Sequence, residues 1–271
     1  MIRILDSTAE YSGFINDVNS NRAFSDPMLQ NEEQIRQNLL NAPNNPNNLI
    51  LGVFNGEMII GLFVFLVLKN EAYAEMLVGL SRQKAAYDEI ISYLNNNYND
   101  YNIDFVYNPN NHLLHCALKN ANAQFETEQQ KMILKNEVAF ESNHQIKLYS
   151  EKYREQYISM HSTECYWTAE KVINALDRFR VILAIENDEV VGYIDITHKY
   201  NENEPYDIFV KESFRNKGYA KAMLAKAIEL NKPNGMMLLV DIDNTAAIAL
   251  YESLGFVKSA GENSICAHIK L

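Results

Sequence analysis

"DIFVKESFRNKGYAKAML", residues 207–224, decides how this chain is read. An apolar strand-like segment (208–210) gives way to a cationic loop, then to Gly218, then directly to a helical pattern. Ala220, Met223, Leu224, Ala227 and Ile228 fall on one face of that helix. A loop entering a helix in this way presents unpaired N–H groups and the positive end of the helix dipole. Such an end suits an anion, phosphate above all. Glycine at 218 lets the backbone approach closely. Arg215, Lys217 and Lys221 supply local positive charge in a chain of net charge -11.

Downstream lies "DIDNTAAIALYESLGF" (241–256). Asn244 ends a strand and can cap the next helix. Ala247, Leu250, Tyr251 and Leu254 share a helical face, and Gly255 ends the helix in the left-handed manner. Tyr251 therefore faces either the core or a cleft.

Upstream, "VILAIENDEVVGYIDIT" (181–197) reads as a hairpin, and the chain has already spelled one at "LILGVFNGEMIIGLFVFLVL" (49–68). After each hairpin come a strand (73–80; 206–212), an amphipathic helix and a further strand (103–107; 236–242). In the first half Tyr87, Ile90, Ile91 and Leu94 carry the helical spacing. The same α+β unit thus occurs twice, about 130 residues apart, with a seam expected within "KNEVAFESNHQ" (135–145). The domains expected are 1–138 and 139–271. The last strand, "SICAHIKL" (264–271), would close the second, with Ile265, Ala267, Ile269 and Leu271 on one face.

The loop and the Asn244/Tyr251 set, in this order and spacing, resemble the acyl-CoA site of the GNAT superfamily of N-acetyltransferases over roughly residues 146–271. The resemblance implies an α+β (mixed α/β) fold of two GNAT-like domains, each a mixed, mostly antiparallel sheet flanked by helices. It implies acetyl-CoA as donor, with its pyrophosphate on the backbone of Arg215, Asn216, Lys217, Gly218, Tyr219 and Ala220. The pantetheine arm would pair with Ile208, Phe209 and Val210, Asn244 would contact the cofactor near the thioester, and Tyr251 would be the general acid. The chemistry is coherent. Free amines of pKa about 10 must lose a proton to attack, and a phenol of similar pKa keeps one for the leaving thiolate. A backbone N–H such as that of Val210 can stabilise the developing oxyanion. Direct transfer calls for no metal. Glu204, Asp207 and Asp195 are open alternatives for the base. An acyl-CoA-binding regulatory module without catalysis is the competing reading. A dinucleotide fold would need more glycines and a ribose-binding acid.

Sliding the first half onto the second sets "SRQKAAY" (81–87) on "SFRNKGY" (213–219). Gln83 replaces Arg215, Ala86 replaces Gly218, and Lys119 or Asn120 stands opposite Tyr251. The first half is expected to be a degenerate copy without a cofactor site.

Composition sets outer bounds. The net charge excludes a general nucleic-acid binder. The longest apolar run, 58–68, is too short for a membrane helix. Three separated cysteines and no signal-like N-terminus lead us to expect a cytoplasmic protein that acts on a small-molecule amine without nucleic acid or membrane. A homodimer is compatible with this reading. "HLLHC" (112–116) offers a weak zinc pattern and "HSTEC" (161–165) a Cys/His pair without an oxyanion motif. Segment 153–172, with Glu164, Tyr166, Trp167 and Glu170, could either line an acceptor site with aromatics and acids or pack as a helix with its acids exposed.

Overall fold

In the computed structural model, which describes residues 1–163 and 167–271, the chain divides into two compact units. Met1–Gln130 with Ala260–Leu271 forms the first, and Lys131–Ser259 the second. This differs from the boundary expected at 138/139, and the reason lies in strand pairing.

The first unit contains strands β1 (Ile2–Ile4), β2 (Asn48–Asn55), β3 (Met58–Leu68), β4 (Tyr73–Ser81), β5 (Asn102–Tyr107) and β6 (Gln124–Phe125). Its helices are α1 (Ser12–Asn19), α2 (Glu32–Ile35), α3 (Lys84–Asn97) and α4 (His112–Asn120). The following segments are β7 (Gln129–Leu134), β8 (Gln145–Leu148), α5 (Arg154–Met160), α6 (Ala169–Ile173), β9 (Phe179–Glu186), β10 (Glu189–Thr197), β11 (Glu202–Asn203) and β12 (Pro205–Val210). Then come α7 (Tyr219–Asn231), β13 (Gly235–Asp241), α8 (Thr245–Glu252), β14 (Phe256–Lys258) and β15 (Ile265–Lys270).

The first unit's sheet runs β1-β2-β3-β4-β5-β15-β6, antiparallel except where β4 meets β5. The chain's last strand therefore belongs here: Ile265 pairs with Tyr107 and Lys270 with Asn102. Ala267 and Ile269 are buried together with Ile103, Phe105, Ile90 and Leu118. The alternation expected of the last strand is present, but it serves the first unit. Strand β7 replaces it in the second unit. There Phe256, Val257 and Lys258 pair with Leu134, Ile133 and Met132, and Met132 is fully buried. Face periodicity says which residues point inward; it does not say which sheet receives them.

The second unit has two four-stranded sheets, β12-β10-β9-β8 and β11-β13-β7-β14. The mixed, mostly antiparallel sheets with flanking helices are the architecture expected. The strand after the hairpin pairs with β13 only through Glu202 and Asn203. It then leaves β13 and joins β10 as β12. Asn203, wholly buried, pins this fork by donating to Asn231 Oδ1 (2.8 Å) and to the Tyr200 carbonyl (2.9 Å). No helix among the described residues is long and apolar enough to cross a membrane.

Candidate functional site

Eight residues, 211–218, lead from β12 to α7. A short 3-10 turn at Glu212–Phe214 is closed by Phe214 N–H to the Lys211 carbonyl (2.8 Å). Asn216 (φ 59°) and Gly218 (φ 89°) are both left-handed, and Gly218 is the N-cap of α7. A Cβ at 218 would touch nothing closer than His144 Nε2, at 3.5 Å. The glycine is thus required by backbone conformation, and space is left above it. The first helical bond of α7 is Ala222 N–H to the Gly218 carbonyl (2.9 Å). The N–H groups of Tyr219, Ala220 and Lys221 precede it and have no carbonyl within the helix to bond.

Side chains frame this end. His144 Nε2 lies 2.8 Å from the Lys217 carbonyl, and its ring stacks on Tyr219 with centroids 3.9 Å apart. Tyr219 donates to Glu186 (2.7 Å). Arg215 Nε folds back to the Val210 carbonyl (3.1 Å), and Lys217 and Lys221 lie over the rings of Phe214 and Phe140. His144 is a participant that sequence reading missed, because it lies in the segment taken as linker. The space beside the loop is a cavity of about 430 Å³ lined by Val210, Arg215, Asn216, Gly218, Tyr219 and Ala220, with Ala247 and Leu250 opposite.

Asn244 caps α8 by accepting from Ala247 N–H (3.1 Å). Tyr251 is nearly buried and packs edge-on against Phe256 (5.9 Å). It does not line the 430 Å³ cavity, which ends one residue earlier at Leu250. Burial, reinforced by the charge of Asp207, raises its pKa, so the phenol holds its proton firmly. Of the strand residues, Val210 lines the cavity. Ile208 packs on the α7 side of the sheet and Phe209 on the other, as alternation requires.

The three candidate bases separate clearly. Asp195 and Asp207 face each other across β10 and β12. Asp195 is wholly buried and accepts from Tyr157 (2.8 and 2.9 Å), with His161 Nε2 at 2.9 Å. Asp207 keeps 35% of its side chain exposed, accepts from Tyr193 (2.7 Å) and lies 3.7 Å from the same His161 nitrogen. Two carboxylates directly opposite would repel. The imidazole between them answers this. Burial pulls the His161 pKa down, but the Asp195 hydrogen bond, the Ser162 carbonyl and the two carboxylate charges outweigh it and leave it raised. Glu204 stands elsewhere, near Lys131 and Arg178. Burial lifts it to about 7. Of the three, Asp207 is the one that couples to Tyr251. His161 thus engages Asp195 and Asp207, whereas the i, i+4 spacing in the sequence pairs it with Cys165. Cys165, like Glu164 and Tyr166, lies outside the described residues. Trp167 packs edge-on against Phe179 (4.8 Å) under Arg178. Glu170 falls in the first turn of α6.

In the first unit only residues 82–83 separate β4 from α3. Ala86, set opposite Gly218 by the sequence, is therefore a buried residue of the helix. Tyr87, opposite Tyr219, donates to the Ser81 carbonyl (2.7 Å). The left-handed loop is missing altogether. In "HLLHC", His115 is engaged by Tyr107 (2.8 Å) and stacked on Phe125 (4.5 Å).

Residues 146–256 match the acetyltransferase (GNAT) family. A mycothiol acetyltransferase of Renibacterium salmoninarum is 40% identical over 58 residues, a segment that is 20% of this chain and 17% of that protein. A GCN5-related N-acetyltransferase from Sphaerobacter thermophilus superposes with TM-score 0.68 at 11% identity, over 100% of this chain and 95% of that one. A tandem GNAT protein from the clavulanic acid biosynthesis pathway does so with TM-score 0.59 at 11% identity, over 100% and 98%.

Proposed function

From the premise that residues 146–256 are a GNAT-family acetyltransferase domain in a chain with the tandem GNAT fold, we propose that this protein acetylates a primary amine of a small molecule, using acetyl-CoA. The observation that carries the reading is the loop from β12 to the N-terminus of α7, turned by the left-handed Asn216 and Gly218. Three N–H groups free of helical bonds, the dipole of a helix 13 residues long and the space above Gly218 fit a diphosphate. In this reading only the second unit binds the donor.

Acetyl-CoA, when bound, supplies the activated acetyl group, and the rest of the chemistry falls to the chain. Asp207 takes the proton from the incoming ammonium, leaving a neutral amine to attack. Its carboxylate is held by Tyr193 and backed by His161 and Asp195. The Val210 N–H would stabilise the oxygen on which charge develops. Tyr251 would give its proton to the departing sulfur, and the second proton lost by the attacking nitrogen would pass to solvent, from which Tyr251 is reprotonated. Asn244 positions the thioester end from the cap of α8.

The test is calorimetry with acetyl-CoA on the full chain, followed by a thiol-release screen over an amine panel. Tyr251→Phe and Asp207→Asn are expected to leave binding intact and slow transfer by about 10²–10⁴-fold. Absence of binding ends the proposal. Binding without thiol release from any amine would replace it with a regulatory acyl-CoA-binding module.

A further inference from the structure

The first unit carries a second polar cluster, on the sheet face opposite α3 and α4. Ala74, Met76, Ile103, Phe105, Ala267 and Ile269 are buried in the helix-backed core. Alternation sends Tyr73, Glu75, Asp104, Cys266 and His268 to the other side. Glu75 pairs with Asp104 across β4 and β5, and Asp104 with His268 across β5 and β15. One row on three strands is therefore acid, acid, histidine, with a thiol two residues along. Two carboxylates directly opposite destabilise a sheet unless a cation joins them.

We infer that this cluster is a binding site for one divalent metal ion, zinc fitting best, with Asp104, Cys266 and His268 as ligands. One ligand atom from each of the three lies within 4.8 Å of the others. Corners of a tetrahedral zinc site are about 3.3–3.8 Å apart, so side-chain rotation suffices. The supporting groups are already placed. Glu126 Oε1 sits 2.9 Å from His268 Nε2 and Asp104 Oδ1 2.6 Å from Nδ1; with an ion on Nδ1, Nε2–H would donate to Glu126. This is the carboxylate–histidine–metal arrangement. Tyr73 donates to Asp104 Oδ2 (2.8 Å), leaving Oδ1 for the ion. Water can take the fourth corner, as it does in zinc sites with three protein ligands. A solvent-connected cavity of about 580 Å³, lined by Tyr73, Asp104, His268 and Lys270, gives the entry path. Thiolate with imidazole and carboxylate selects zinc over magnesium or calcium. Binding displaces the His268 Nδ1 proton and the Cys266 thiol proton into solvent. Because two ligands lie on β15 and one on β5, the ion would clip the chain's last strand to the sheet it joins.

The experiment titrates the chelator-stripped full chain with cobalt(II) and then zinc, in a Cys116→Ser background that removes an exposed free thiol. We expect one equivalent of cobalt with a thiolate-to-metal charge-transfer band, displacement by zinc, and a zinc-dependent rise in Tm. Cys266→Ser should abolish the band. Glu126→Gln, which leaves all three ligands in place, should weaken zinc about ten-fold or more. No saturable binding, or a thiolate band that survives Cys266→Ser, overturns the inference.

Discussion

Asp26 shows how a single buried charge can set a pH response. It is 4% exposed and accepts from the N–H groups of Met28 (2.8 Å) and Gly79 (2.7 Å). Burial outweighs both bonds and raises its pKa to about 6. The folded chain therefore binds this proton more tightly than the unfolded chain does, and stability falls as pH rises from about 4 through about 6. The stability lost across this window is on the order of 3 kcal/mol. Urea titrations across that window should show the decline, and Asp26→Asn should make it shallower, the remainder belonging to Glu204, which burial lifts in the same direction. An unchanged slope in the variant would place the titration elsewhere. None of this was legible in the sequence, because it depends on burial and on a hydrogen bond from Gly79, 53 residues away. The helical face that carries Tyr251 was legible because spacing reveals faces; the role proposed for it comes from the family resemblance. The choice among Glu204, Asp207 and Asp195 was not legible, because it depends on cross-strand register and on which side chains a histidine 34 residues away can reach.

Local elements follow local chemistry, and most were readable. The Asn187-Asp188 turn has both residues at positive φ (47° and 67°), as a two-residue hairpin requires. In α7 the expected face is buried at Met223, Leu224, Ala227 and Ile228. Loop length was the failure. Matching Ser81 to Ser213 equated a two-residue link with an eight-residue loop, since residue identity says nothing of where a strand ends. The conformation of the long loop makes its own prediction. Gly218→Ala meets no steric obstacle from the protein, yet forces a Cβ onto φ 89° at the N-cap of α7. The left-handed penalty is about 1–2 kcal/mol. The variant should lose about that much stability in a denaturant titration while acetyl-CoA affinity drops at least ten-fold. A variant that binds as tightly as the parent would show that the loop does not hold the diphosphate.

At the scale of the whole chain, the boundary itself is testable. Local signals placed one repeat in 1–138 and the other in 139–271, and this division follows from reading each strand with its neighbours in sequence. The long-range pairings run otherwise. β7 lies between β13 and β14, and β15 lies between β5 and β6. A fragment comprising 139–271 would lack β7, leaving β13 and β14 with unpaired edges and removing Met132 from a core it fills completely. It would also carry β15 without the strands that β15 bonds. Losing Met132 alone removes about 2–5 kcal/mol of packing, a large part of the stability of a small domain. A fragment comprising 131–259 keeps the pairing of Phe256–Lys258 with 132–134 and every residue proposed for the acyl-CoA site. The shorter-tailed fragment should therefore give a cooperative thermal transition and bind acetyl-CoA, while 139–271 should aggregate or unfold without a transition. If 139–271 folds and binds as well as 131–259, the strand exchange is not what organises the second unit.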